Sequence, residues 1–251
     1  MTDPVFFDAA CQVGNNIWGT GEDIPALQAE MKRLGVSKAL VRDTGLNSNG
    51  AVVSNRRVSE WLREPGTENL TGVWCLLPTQ CHELPEPADF FDAMKPNRIG
   101  AVTLRPQSHR WIPCALTLGP YMEEAKARKV PVCLDGFNSQ WNELYNFLKE
   151  FPDNIYLGIT VTGKWGVDRQ LRPLMEAYKG LYFSYDGHWV PNGVSELARI
   201  YGPERILFGS GFPRYSAGAA MLQLKQSGLD DDAIRMIASE NLENLLKGAL
   251  K

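Results

Sequence analysis

The chain reads as an α/β protein, and within that class as a (β/α)8 TIM barrel, on three observations. Short β-branched and aromatic runs alternate with amphipathic helical stretches from one end to the other, a rhythm that produces a parallel sheet with helical crossovers. The alternation repeats eight times. The 251 residues contain no linker-like stretch, and that length is usual for one closed barrel. The expectation is a single barrel domain over 1–251 with a C-terminal helix.

In chain order, the candidate strands are Val5 to Ala10, Lys38 to Asp43, Leu70 to Leu77, Arg98 to Arg105, Val130 to Asp135, Ile155 to Thr160, Leu181 to Asp186 and Arg205 to Ser210. Apolar residues at helical spacing place crossovers at Ile24 to Leu34, Val52 to Leu62, Tyr121 to Lys129, Trp141 to Phe151, Arg169 to Tyr178 and Gly193 to Tyr201. Several of these close on helix-stop chemistry, as in Arg33-Leu34-Gly35, Phe151-Pro152 and Tyr201-Gly202-Pro203. Two more helices follow the eighth strand, near Ala219 to Gln226 and from Asp231 to Lys247, the second with an acidic start that suits the helix dipole.

Composition narrows the function classes. Hydrophobic residues are 44% and charged residues 22% of the chain, ordinary values for a packed globular protein. A net charge of -3 with no basic block speaks against nucleic acid as a partner. No apolar run approaches the roughly 20 residues of a membrane helix, and Met1 to Phe7 lacks the layout of a secretory signal, so a cytoplasmic protein is expected. Five cysteines without CxxC spacing argue against a disulfide framework or a zinc knuckle. The first strand-to-helix turn, Gln12-Val13-Gly14-Asn15-Asn16, carries neither a dinucleotide nor a P-loop fingerprint, and no cofactor is expected.

Three stretches carry a resemblance to the amidohydrolase superfamily, in its amidohydrolase-related (amidohydrolase 2) group of TIM-barrel hydrolases, decarboxylases and lactonases. Val5-Phe6-Phe7-Asp8-Ala9-Ala10-Cys11-Gln12 resembles the group's opening strand, and Arg205-Ile206-Leu207-Phe208-Gly209-Ser210-Gly211-Phe212-Pro213 its eighth. Ile237-Ala238-Ser239-Glu240-Asn241-Leu242-Glu243-Asn244-Leu245-Leu246 resembles its closing helix, and Val130-Pro131-Val132-Cys133-Leu134-Asp135 its fifth strand. The resemblance implies a metal held by a His-x-His pair on the first strand, a histidine on each of the fifth and sixth, and an aspartate after the eighth. This chain departs at every point: Ala10 and Gln12 stand in the His-x-His places, Asp135 in the fifth-strand place, a threonine near Thr160 in the sixth, and Gly211 in the aspartate place. Alanine and glycine side chains cannot ligate, so no metal is expected at that site. The superfamily also includes members that act without a metal, such as pyrone dicarboxylate lactonase.

Barrel enzymes place their chemistry at the carboxyl ends of strands. Those ends carry Gln12, Arg42, Asp43, Arg105 with His109 nearby, Asp135, Lys164, Trp165, Asp186, His188, Ser210 and Arg214. Arg42, Arg105 and Arg214 come from three strand ends and could converge on a carboxylate or phosphate; each could equally pair with a neighbouring acid. Asp135 ends an apolar strand, where burial would raise its pKa and make it a general base, unless a nearby cation pulls it down. In Ser184-Tyr185-Asp186-Gly187-His188-Trp189, strand alternation would set Ser184, Asp186 and His188 on one face, with Asp186 orienting the imidazole. Cys11, between the two vanished histidine places, should point away from the barrel axis, and Phe208-Gly209-Ser210-Gly211-Phe212 is not a GxSxG nucleophile elbow. Trp18, Trp111, Trp165 and Trp189 fall in loops after strands, where aromatics can wall a pocket.

The leading expectation is a metal-independent hydrolase of lactonase type acting on a small anionic, carboxylated substrate. Its catalytic residues would be Asp135, His188 and Asp186, and its substrate-binding residues Gln12, Arg42, Arg105, Lys164, Trp165 and Arg214. Two alternatives stay open: a noncatalytic barrel that binds a small molecule or a partner, and a metal enzyme with ligands relocated to Asp8, Asp135, Asp186 and His188. A homodimer is expected from the resemblance alone.

Overall fold

The computed structural model describes residues 3–16, 19, 21–137, 140–158, 168–188 and 190–250. Eight parallel strands follow one another around the sheet in sequence order: β1 (Phe6–Val13), β2 (Val36–Asp43), β3 (Leu70–Cys75), β4 (Ile99–Thr103), β5 (Val132–Cys133), β6 (Tyr156–Leu157), β7 (Leu181–Ser184) and β8 (Ile206–Leu207). The ring closes where the Ala9 amide of β1 donates to the Phe208 carbonyl just past β8, at 2.9 Å. The result is the predicted (β/α)8 TIM barrel.

The helices are α1 (Ile24–Leu34), α2 (Leu46–Asn49), α3 (Ala51–Arg63), α4 (Pro87–Asp92), α5 (Ala115–Ala127), α6 (Trp141–Glu150), α7 (Asp168–Ala177), α8 (Gly193–Tyr201), α9 (Ala217–Lys225), α10 (Asp231–Arg235) and α11 (Asn241–Leu250). Local chemistry sets their ends. At α1 the Asp23 carboxylate accepts from the Ala26 amide at 2.9 Å, and Gly35 ends the helix in the left-handed region. The expected closing helix over 231–247 is divided by a π-helical turn, Met236–Glu240. That turn releases the Ile237 carbonyl to accept from the Phe208 amide at 2.9 Å, tying the last helices to the end of β8. Among the described residues no helix is long and apolar enough to cross a membrane.

Alternation along the strands sorts the core into two layers. Phe7, Ala9, Leu40, Val73, Ala101, Cys133, Leu157 and Leu207 fill the barrel, with Leu242, Leu245 and Leu246 of α11 packed against them. Phe6, Cys11, Val13, Val41, Trp74 and Val102 face the helices instead. The register of β1 on β2 slips between Asp8 and Cys11. This bulge puts the consecutive residues Ala9 and Ala10 on one cavity inside the barrel mouth while Cys11 joins the outer layer.

Candidate active site

Above the apolar filling, the strand ends contribute polar side chains, and these fall into two groups. The first is an ion-paired cluster at the ends of β2, β4 and β5. Asp135 follows β5 in a single 3-10 turn, and its carboxylate takes Arg42 Nη1 at 2.7 Å and Arg105 Nη2 at 2.6 Å. Thr103 Oγ1 donates to the other carboxylate oxygen at 3.0 Å, and Arg105 Nη1 donates to Thr103 Oγ1 and to the Leu104 carbonyl, each at 2.9 Å. All three charged side chains are only 5–6% exposed. Gly136 makes the turn possible, because a Cβ there would fall 1.6 Å from the Leu104 carbonyl oxygen. Burial alone would raise the pKa of Asp135, but the guanidinium groups of Arg105 and Arg42 outweigh it and hold the carboxyl well below the usual range. A carboxylate held in this way is a weak base.

The second group lies at the end of β7. Ser184 Oγ donates to Asp186 Oδ1 at 2.6 Å, while Asp186 Oδ2 is buried without a hydrogen-bond partner among the described residues. Burial pushes the Asp186 carboxyl up to about 6; the Ser184 bond and the Arg42 charge oppose that rise, and the charges of Asp8 and Asp135 add to it. Arg42 reaches this group as well. Its Nη2 donates to the Ala9 carbonyl at 3.0 Å, and its Nε is buried with no partner among the described residues. Arg42 and Asp186 line one cavity of about 10 Å³ with Ala9, Ala10, Leu157, Gly158, Ser184 and Leu207. That is close to the roughly 10–15 Å³ that one water needs. Two residues that each carry a buried atom without a partner among the described residues thus line a space of single-water size.

The structure divides the residues singled out from sequence. Arg42, Arg105, Asp135 and Asp186 meet at the mouth. His188 does not share a face with Ser184 and Asp186, because β7 stops at Ser184 and the chain turns at Gly187 with φ +69°. Its ring stands edge-on to Phe183 of the outer layer, 5.2 Å between centroids, and close to Gly193 at the start of α8. Arg214 is exposed and stacks over Tyr215 at 5.3 Å, so the expected three-arginine convergence is a two-arginine one, on a carboxylate of the chain itself. Gln12 is half-buried, its backbone N–H donating to the Phe212 carbonyl at 2.9 Å. Lys164, Trp165, Thr160, Trp18 and Trp189 lie outside the described residues. Asp43 faces α3, bonded to Ser54 at 2.7 Å and Arg57 at 3.3 Å. His109 bonds the Leu46 carbonyl at 2.9 Å, and Trp111 packs on the cluster around Leu46. Burial pushes the Cys11 thiol well above its ordinary range, which leaves it a poor nucleophile.

Thr103, Ser184 and Gly136 matter more than their sequence signal suggested. Thr103 was legible as the inward position two residues before Arg105, and Gly136 as a glycine directly after a strand-end acid.

The metal that the resemblance implies does not fit these residues. Ala10 offers no donor, and the Asp135 carboxylate is already engaged by two guanidinium groups. Gly211, in the aspartate place, has φ +70°, and a Cβ there would lie 2.6 Å from the Tyr215 ring. Asp8 is committed elsewhere, its Oδ1 accepting from the Ala10 and Ser210 amides at 2.9 Å each. Among the described residues no three His, Cys, Asp or Glu side chains gather to hold an ion.

No protein-family model and no curated protein sequence matches the chain. Solved structures do. A candidate amidohydrolase of Staphylococcus aureus superposes with a TM-score of 0.71 at 13% identity, over 96% of this chain and 99% of that one. A dihydroxybenzoic acid decarboxylase from a Polaromonas species, solved with manganese and 2-nitroresorcinol, gives 0.69 at 13% over 97% of each chain. A candidate 2-pyrone-4,6-dicarboxylic acid hydrolase of Pseudomonas putida gives 0.68 at 15%, over 98% of this chain and 99% of that one. The structural neighbours of this chain are therefore amidohydrolase-type TIM barrels, and it shares their fold along nearly its whole length.

Proposed function

We propose that the barrel mouth hydrolyses a small carboxylated ester or lactone without a resident metal, with Asp186 moving the proton. The observation that carries this reading is the juxtaposition of Arg42 and Asp186 on one water-sized cavity, each with a buried atom that lacks a partner among the described residues. A carboxyl raised to about 6 is well matched to proton transfer near neutrality. Asp135 is assigned to holding the arginines, not to the proton step.

In this mechanism the ionised Asp186 takes a proton from a water in the cavity as the water oxygen bonds to the substrate carbonyl carbon. The carbonyl oxygen gains negative charge and is met by Arg42, a fixed cation in a dry site. Collapse of the tetrahedral species breaks the bond to the leaving alkoxide, which receives the proton from Asp186 and restores the carboxylate. With Asp186 ionised, the group Arg42, Arg105, Asp135 and Asp186 is neutral; with Asp186 protonated it carries one positive charge. An anionic substrate therefore favours the protonated form and raises the Asp186 pKa further on binding. The structural neighbours add a bias toward carboxylated small molecules: a candidate dicarboxylic acid hydrolase and a dihydroxybenzoic acid decarboxylase are among them.

The test is turnover of a panel of carboxylated lactones and esters by chelator-treated protein, comparing the wild type with Asp186→Asn. Turnover that survives chelation and is lost in the variant supports the reading. Turnover equal in both proteins, or abolished by chelation, sinks it. A second reading, an anion-binding barrel without turnover, is favoured by the buried Arg42 Nε, a donor without a partner among the described residues; binding of a panel member unchanged by Asp186→Asn, with no product formed, would select it.

A further inference from the structure

The misfit of a metal at the mouth raises the question of what balances the charges gathered there. We infer that the Arg42 guanidinium is the resident cation of the barrel mouth, a tethered organic ion seated where the fold collects its acidic and carbonyl groups. This goes beyond the hydrolytic reading and does not depend on turnover.

The geometry is that of an ion in a site. Arg42 belongs to β2, yet its charged end meets Asp135 after β5 at 2.7 Å and the Ala9 carbonyl of β1 at 3.0 Å. It also shares the central cavity with Gly158 after β6, Ser184 and Asp186 at the end of β7, and Leu207 of β8. One side chain thus touches or faces groups from most of the barrel, including the strand ends that the implied metal would use. Space for it comes from small residues: Ala9, Ala10 and Gly158 border the cavity. A Cβ at Gly209 would crowd the same region, 2.2 Å from Ser184 Oγ and 3.1 Å from Ala10 Cβ. Burial by itself would ease proton loss from Arg42, but Asp135 above all, with Asp186 nearby, holds it more firmly charged than an exposed arginine. Guanidinium also suits a dry site better than ammonium, since it is weakly hydrated and its planar fork donates in several directions. Arg105, by comparison, is occupied by Asp135, Thr103 and Leu104 and does not line the cavity.

The experiment is rescue by the free ion. Arg42→Ala in the full chain removes the tether and leaves Asp135 and Asp186 facing an enlarged cavity. Guanidinium chloride, well below denaturing concentration and compared with sodium chloride at equal ionic strength, should then raise the thermal midpoint of the variant. At ten times its Kd the rise should be roughly 3–5 °C; the wild type, whose site is filled, should show none. Equal responses to the two salts, or equal responses of variant and wild type, overturn the inference.

If Arg42→Ala does not fold, Arg42→Lys and the double variant Arg42→Met with Asp186→Asn take its place. The first keeps a cation, and the second removes the acid left without one, since Asp135 keeps Arg105. A midpoint of Arg42→Lys above that of Arg42→Met, or a rise on Asp186→Asn larger in Arg42→Met than in the wild type, supports the inference. Arg42→Lys matching Arg42→Met together with equal rises on Asp186→Asn, or neither variant folding, overturns it, because a role set by charge must be recoverable by one route.

Discussion

Asp135 follows β5 and Asp186 follows β7 of the same sheet, and both side chains are buried, yet they are opposite kinds of carboxylate. Asp135 has two guanidinium groups and a threonine hydroxyl on its two oxygens and is held ionised. Asp186 has one serine on one oxygen, no partner among the described residues on the other, and a pKa raised to about 6. What differs is the count of donors each strand end supplies, since burial penalises both. A carboxylate that is fully satisfied contributes structure; one left short can exchange a proton at neutral pH.

The largest effect that would break or sharpen this contrast is on chemistry. Asp186→Asn should lower turnover of a responsive substrate about 10²–10⁴-fold, measured as kcat at saturating substrate. The same change should stabilise the fold at neutral pH, on the order of 2 kcal/mol in chemical denaturation. The sign follows from the raised pKa: the native state holds the Asp186 proton more tightly than the unfolded chain. Asp186 therefore costs stability as pH rises from the ordinary aspartate value of 3.8 to about 6, and the cost stays in place above that.

Asp135 should behave in the reverse sense. Asp135→Ala strands two buried guanidinium groups and should cost about 3–5 kcal/mol. In the intact protein the contribution of Asp135 is fully present above the ordinary aspartate value of 3.8 and is lost as pH falls below it, because its native pKa is depressed. Urea midpoints measured across that range for wild type and Asp135→Asn should converge toward the acid end.

Smaller effects test the edges of the site. Gly211→Asp restores the residue type that the family resemblance implies, but in a left-handed backbone against Tyr215; it should lower stability by about 1–3 kcal/mol, without adding stoichiometric zinc to the purified protein. Arg214→Ala, at an exposed side chain stacked on Tyr215, should change stability by no more than about 1 kcal/mol. A larger loss would mean that Arg214 belongs to the mouth after all.

The barrel was legible because each level of the sequence agreed with the next. Periodicity located all eight strands, and α1 matches its expected bounds, since its Asp23 cap and Gly35 stop are encoded next to the helix they delimit. Where the expected closing helix breaks, the cause is long-range: the π-helical turn serves a hydrogen bond to Phe208, which no local pattern announces. The site was legible as a set of residues and less so as a set of roles. Position at the strand ends placed Asp135, Asp186, Arg42 and Arg105 at the mouth. It could not say that both arginines would close on Asp135, because that choice is made across the barrel, between β2, β4 and β5. His188 shows the limit of alternation itself, which fails once the strand ends and Gly187 turns the chain.

The central claim is that the mouth holds one carboxyl poised near neutrality and that it is Asp186. The direct measurement is a titration of aspartate side-chain carbonyls by carbon-13 NMR, in wild type and in Asp186→Asn. The account predicts one buried carboxyl with a midpoint of about 6 that disappears in the variant. A spectrum in which every aspartate is fully ionised by roughly pH 5, or in which the step near 6 persists in Asp186→Asn, would contradict it.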